Sequence, residues 1–180
     1  MMKSDVIMID NHGNGFSEAV EQTRLFCESC DGLNGKSILR MQLIAEEMLS
    51  LARSITGEMK ASFWIERNGT EIEFHMTTQT VMDKEKRGLL IMSSTSRKNE
   101  AAKGFLGKLR DAFEQAMASE PSHTDEAVPY ELRDDIANDS YEAKEWDGLE
   151  RSILRKLADN VKISIRGRTV DMMVFKRLAE

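Results

Sequence analysis

Basic charge, cysteine, proline and long apolar runs are all scarce in this 180-residue chain, and each scarcity closes a class of function. Lys and Arg number 25 against 31 Asp and Glu, a net charge of −6. That balance argues against broad electrostatic attraction to nucleic acid or to an anionic membrane, and favours a protein partner or a small ligand. No apolar run approaches the ~20 residues that cross a bilayer. Met1 to Asp10 lacks the basic-then-apolar order of a signal peptide, so the chain is expected to stay in the cytoplasm.

The two cysteines form Cys27-Glu28-Ser29-Cys30. A redox pair sits where a strand meets a helix N-terminus, whose dipole lowers the thiol pKa, whereas this pair closes an amphipathic helix. A structural zinc site would need two further ligands, and His12, His75 and His123 are scattered singly. Reduced, half-buried thiols are expected, and no metal site. Both prolines, Pro121 and Pro129, lie in the acidic stretch from Ser119 to Asp139, which reads as a surface loop or insertion.

What is present is an ordinary globular composition: 41% hydrophobic and 31% charged residues describe a chain that folds. At this length one well-buried core is expected, hence a single domain over 1–180. Asp5 to Asp10 reads as a strand, and Asn11-His12-Gly13-Asn14-Gly15 as a loop. Val20, Phe26 and Cys27 recur at roughly helical spacing from Ser17 to about Cys30. Ser37 is the expected N-cap of a longer helix whose buried stripe is Met41, Ile44, Met48, Leu51 and Ile55, with Gly57 as its stop.

The period then falls to two. Ala61 to Arg67 leads through Asn68-Gly69 into Thr70 to Met76, a hairpin joined by a two-residue Asn-Gly turn. Ile72, Phe74 and Met76 alternate with Glu71, Glu73 and His75, which places His75 away from the core as a solvated strand residue. Residues 84–117 read as a helix, an interruption at Ser93 to Lys98, and a second helix carrying Phe105, Leu109 and Phe113. Trp146, Leu149, Ile153, Leu154 and Leu157 mark another helix. Val161 to Ile165 and Thr169 to Phe175 close the chain as a second hairpin around Arg166-Gly167-Arg168.

Two motifs invite a phosphate reading. Gly35-Lys36-Ser37 has the end of a P-loop, but Cys30 stands where its first glycine is required and a helix precedes it instead of a strand. Glu46-Glu47 is more informative. On a helical wheel Glu47 borders the Met41/Ile44/Met48/Leu51 stripe, where a carboxylate can act as a general base, while Glu46 points nearly opposite.

The order strand, helix, long helix with Glu-Glu, antiparallel strand pair, helical lid region, helix and final hairpin resembles the histidine-kinase-type (GHKL, Bergerat) ATPase fold, nearest its anti-sigma-factor and serine-kinase branch. The resemblance implies an α+β two-layer sandwich, a mixed, largely antiparallel sheet covered on one face by helices. It also implies a Glu-x-x-x-Asn box on the long helix: Glu47 matches the activating Glu, but Leu51 stands where the magnesium-binding Asn belongs, and a Leu cannot ligate a hard cation. An Asp-x-Gly-x-Gly box for adenine falls on Met76 to Asp83 without its Asp and glycines, leaving Thr77 to offer one hydrogen bond. The lid box corresponds to Lys103-Gly104-Phe105-Leu106-Gly107, with Arg97 and Lys98 as phosphate contacts.

The resemblance with its lost boxes implies a regulatory protein of bacterial-type signalling, binding a regulator or sigma-factor-like partner and needing no cofactor; a homodimer is compatible with it. The alternative is a serine kinase or ATPase that binds ATP and magnesium through atypical ligands. A third possibility is a structural α/β domain without a ligand.

Overall fold

A computed structural model describes residues 2–10, 12–56, 60–102 and 153–178. The expected lid residues Lys103 and Gly104, the 119–139 stretch, Gly57, and Trp146 and Leu149 lie outside them. The order is β1 (Met2–Lys3), β2 (Ile7–Ile9), α1 (Phe16–Glu28), α2 (Gly35–Thr56), β3 (Ala61–Asn68), β4 (Glu71–Gln79), α3 (Lys84–Ser93), a 3-10 turn (Glu100–Ala102), β5 (Asn160–Arg166) and β6 (Thr169–Arg177). A helical turn at 153–157 precedes β5. The sheet runs β1-β3-β4-β6-β5, with β2 also on β3. The α+β sheet covered by helices is present, and every described pairing is antiparallel.

Alternation along the strands sends one set of side chains to a common core. Phe63 and Ile65 of β3, Phe74 and Met76 of β4, Met172 and Val174 of β6, and Val161 and Ile163 of β5 stand in facing rows and are at most 1% exposed. The expected stripe of α2 covers them: Met41, Ile44, Met48, Leu51 and Ile55 are all buried in the same cluster. Ala19, Phe26 and Cys27 of α1, Leu90 of α3 and Leu154 complete it. Among the described residues no helix is long and apolar enough to cross a membrane.

Local chemistry sets the boundaries, sometimes differently from expectation. The cap of α2 is Asn34, not Ser37: its Oδ1 accepts from the Ser37 backbone N–H at 2.9 Å, and its carbonyl takes the first helical bond from Ile38. Asp83 caps α3 through Lys86 N–H at 2.7 Å. Gly15 opens α1 at φ 83, where a Cβ would come within 2.2 Å of the Met8 carbonyl oxygen, so only glycine lets the helix start against β2.

The N-terminal edge departs most from the single strand expected at Asp5 to Asp10. Lys3 pairs with Glu66 and Ile7 with Phe63, so three residues on the edge oppose two on β3. This is a one-residue bulge. The Ser4 hydroxyl accepts from Ile65 N–H at 2.9 Å, and Ser4 N–H donates to the Ile65 carbonyl at 2.9 Å, which keeps the ladder satisfied there. The extra residue switches the facing of the strand: Ile7 and Ile9 point to the core, Lys3 to the opposite face.

Candidate functional site

The residues singled out by resemblance to an ATP site divide between two sides of the sheet. Glu47 lies on α2, half-buried at the edge of the buried stripe, while Glu46 is exposed, as the helical wheel places them. One turn on, Leu51 is 0% exposed, a core residue against the sheet. Thr77 belongs to the other row of β4, with Glu73 and His75, and its Oγ1 donates to Asp171 Oδ1 on β6 at 2.9 Å. Thr77 and Glu47 are therefore separated by the sheet. The β4 threonine that faces the helix layer is Thr78, 1% exposed, and it donates to the Lys60 carbonyl. The acid of this region, Asp83, uses its carboxylate to cap α3.

Arg97 and Lys98 are exposed on the bend that follows α3, with Arg97 held at φ 52. Two polar clamps fix that bend against the side of β5 away from β6. Thr95 N–H donates to the Val161 carbonyl and Thr95 Oγ1 accepts from Val161 N–H, each at 2.8 Å. Asn99, 7% exposed, donates through Nδ2 to the Ile165 carbonyl at 3.0 Å and accepts through Oδ1 from Ile165 N–H at 2.8 Å. A side-chain amide thus imitates a neighbouring strand and closes the edge. Both bases project from a braced segment.

Cys27 and Cys30 are free thiols and more buried than expected, at 0% and 5% exposure. Burial, reinforced by Cys30, pushes the Cys27 thiol up to about 12, the opposite of the lowered value that marks a reactive cysteine.

The sheet face away from the helices holds a cluster that residue-by-residue inspection of the sequence missed. Trp64 of β3 pairs directly with His75 of β4, and their rings stack with centroids 5.0 Å apart and planes 3° from parallel. Two pairs further along, and so next on the same face, Glu66 faces Glu73. His75 was expected to be solvated; it does point away from the core, but the indole covers it and it is 9% exposed. Its Nε2 lies 3.4 Å from Glu73 Oε2 and 3.9 Å from Glu66 Oε2. On the same face Lys3 stands 4.9 Å from the Trp64 ring centroid, and Lys162 lies 4.2 Å from that of Phe175.

The signal that would have found this cluster is strand register. A turn at Asn68-Gly69 would set His75 opposite Ser62. In the fold the two turn residues are Gly69, at φ 60, and Thr70, and Asn68 pairs with Glu71. Glycine at the first central position is the arrangement of a type II′ turn, and Gly167-Arg168 repeats it in the second hairpin. Comparison with family models, curated proteins and solved structures returns no match.

Proposed function

We propose that this chain is a regulatory protein that works by binding a protein partner in the cytoplasm, on a scaffold with the element order of a histidine-kinase-type ATPase but without nucleotide turnover. The observation that carries the reading is the placement of Leu51. The position that the resemblance assigns to a magnesium-binding amide is filled by a fully buried aliphatic side chain in contact with the core, where no oxygen is offered to a cation. Thr77, the substitute for an adenine-reading acid, hydrogen-bonds to Asp171 on the far side of the sheet from Glu47. A helix layer that keeps its shape while losing its ligands is suited to presenting a surface. Leu39 and Leu43, one turn apart on α2, remain 58% and 40% exposed, and Leu25 on α1 is 52% exposed, apolar area that partner binding would bury.

The test is whether Glu47 performs chemistry. Incubated with ATP and magnesium, wild-type protein and Glu47→Gln should show the same background phosphate release. Turnover in the wild type that falls by about 100-fold or more in Glu47→Gln would identify a working general base and overturn the reading.

A further inference from the structure

We propose that Glu66, Glu73 and His75 bind a divalent first-row transition-metal ion of the zinc class, on the sheet face away from the helices. The donor atoms of the three residues all lie within 4.8 Å of one another. Donors bound to zinc at ordinary N and O distances stand about 3.3 Å apart on a tetrahedron. The 3.4 Å separation of His75 Nε2 from Glu73 Oε2 already matches, and the 3.9 Å separation from Glu66 Oε2 would close with a shift of about half an ångström, the Glu66 side chain being 13% exposed. Three protein ligands leave a fourth position for water.

The unused atoms are the ones that point inward. Glu66 Oε1 accepts from Trp64 Nε1–H at 2.9 Å and pairs with Lys3 Nζ at 3.0 Å, which leaves Oε2 toward His75. Glu73 Oε1 accepts from Asn68 Nδ2–H at 2.7 Å, and again Oε2 faces the imidazole. Outer partners of this kind fix the orientation of metal-binding carboxylates. His75 Nε2 is itself buried and makes no well-formed hydrogen bond, its nearest polar neighbour being Glu73 Oε2 at 3.4 Å. A buried ring nitrogen without a partner, aimed between two carboxylate oxygens, is an uncompensated cost that an ion would remove.

Charge points the same way. Glu66 and Glu73 are direct cross-strand neighbours, a destabilising arrangement for like charges, and Lys3 is the cation placed on Glu66 by the bulge. A cation held between the two carboxylates and the imidazole would relieve that repulsion. One imidazole with two carboxylates suits zinc, manganese or iron, in contrast to calcium, which takes oxygen alone. The site is independent of the nucleotide question, because it lies on the other face from Glu47.

The experiment is calorimetric titration of the full, chelator-stripped chain with zinc chloride at pH 7, repeated with Glu73→Gln and His75→Gln. The expected result is one ion per chain at micromolar affinity or tighter, with Kd raised at least about tenfold in each variant. Glu73→Gln keeps an acceptor for Asn68, so it decides the matter should His75→Gln fail to fold. Cobalt serves as the second probe and should show no thiolate charge-transfer band, because the cysteines are not ligands. Absence of binding in the wild type, unchanged affinity in Glu73→Gln, or a thiolate band with cobalt would each overturn the proposal.

Discussion

His75 shows how a single side chain gains its properties from neighbours that are distant in sequence. Alternation on its own strand correctly turns it from the core, but its environment is made by Trp64 from the partner strand, with Lys3 on β1, Glu66 on β3 and Glu73 on β4 as the charged groups around it. Burial is the largest influence and lowers its pKa against the pull of both glutamates, which act to raise it. A folded-state pKa below the unfolded one means that the unfolded chain takes up the proton first. Stability is therefore complete above about pH 6.5 and falls as the pH drops toward the folded value. Glu66, whose carboxyl the Lys3 contact chiefly holds low, adds a further loss only below the ordinary Glu range. In metal-free buffer, denaturation midpoints should fall between pH 6.5 and 5, and His75→Gln should flatten that slope. A midpoint that rises on acidification over this window would mean that the glutamates, not burial, govern the imidazole.

At the level of elements, the most legible parts were those whose signal is local and repeated. The buried stripe of α2 lies where its period placed it, because the five residues of the stripe need only one helical repeat to define a face. The interruption after α3 was also readable from its run of small polar residues, and the bend occupies it. Signals that depend on pairing were less legible. The Asn-Gly dipeptide marked the hairpin correctly but set its register two residues off, since glycine's positive φ is used at the first central position and not at the second. The edge bulge had no sequence mark, because Ser4, Asp5 and Val6 carry no glycine or proline.

The clamp by Asn99 was equally hidden, since nothing in Lys98-Asn99-Glu100 tells that the amide will meet Ile165. Its consequence is measurable. Asn99→Ala strands a buried backbone donor and acceptor on the edge strand, at a cost of about 2–3 kcal/mol. For a chain of this size that lowers Tm by about 4–12 °C. Asn99→Asp, which keeps the acceptor for Ile165 N–H but loses the donor, should fall between the two. A shift under about 1 °C for the alanine variant would show that water replaces the amide freely, and that the bend is not held by it.

For the molecule as a whole, the sheet separates two sets of candidates that a linear reading places side by side. Glu47 and Thr77 belong to one expected site in the chain order of a histidine-kinase-type ATPase, yet strand parity puts them on opposite sides, with Leu51 sealed in the layer between helix and sheet. That Leu51 cannot serve as the magnesium ligand the resemblance implies was readable in the sequence; that the leucine is packed core required the fold. The measurement that bears most directly on a nucleotide-free regulatory scaffold is calorimetric titration of the full chain with ATP in the presence of magnesium. The expected result is no saturable heat, with any Kd weaker than about 1 mM, or less than about 4 kcal/mol of binding free energy. A magnesium-dependent Kd in the micromolar range, about 8 kcal/mol, would contradict it and restore the ATP-binding kinase reading.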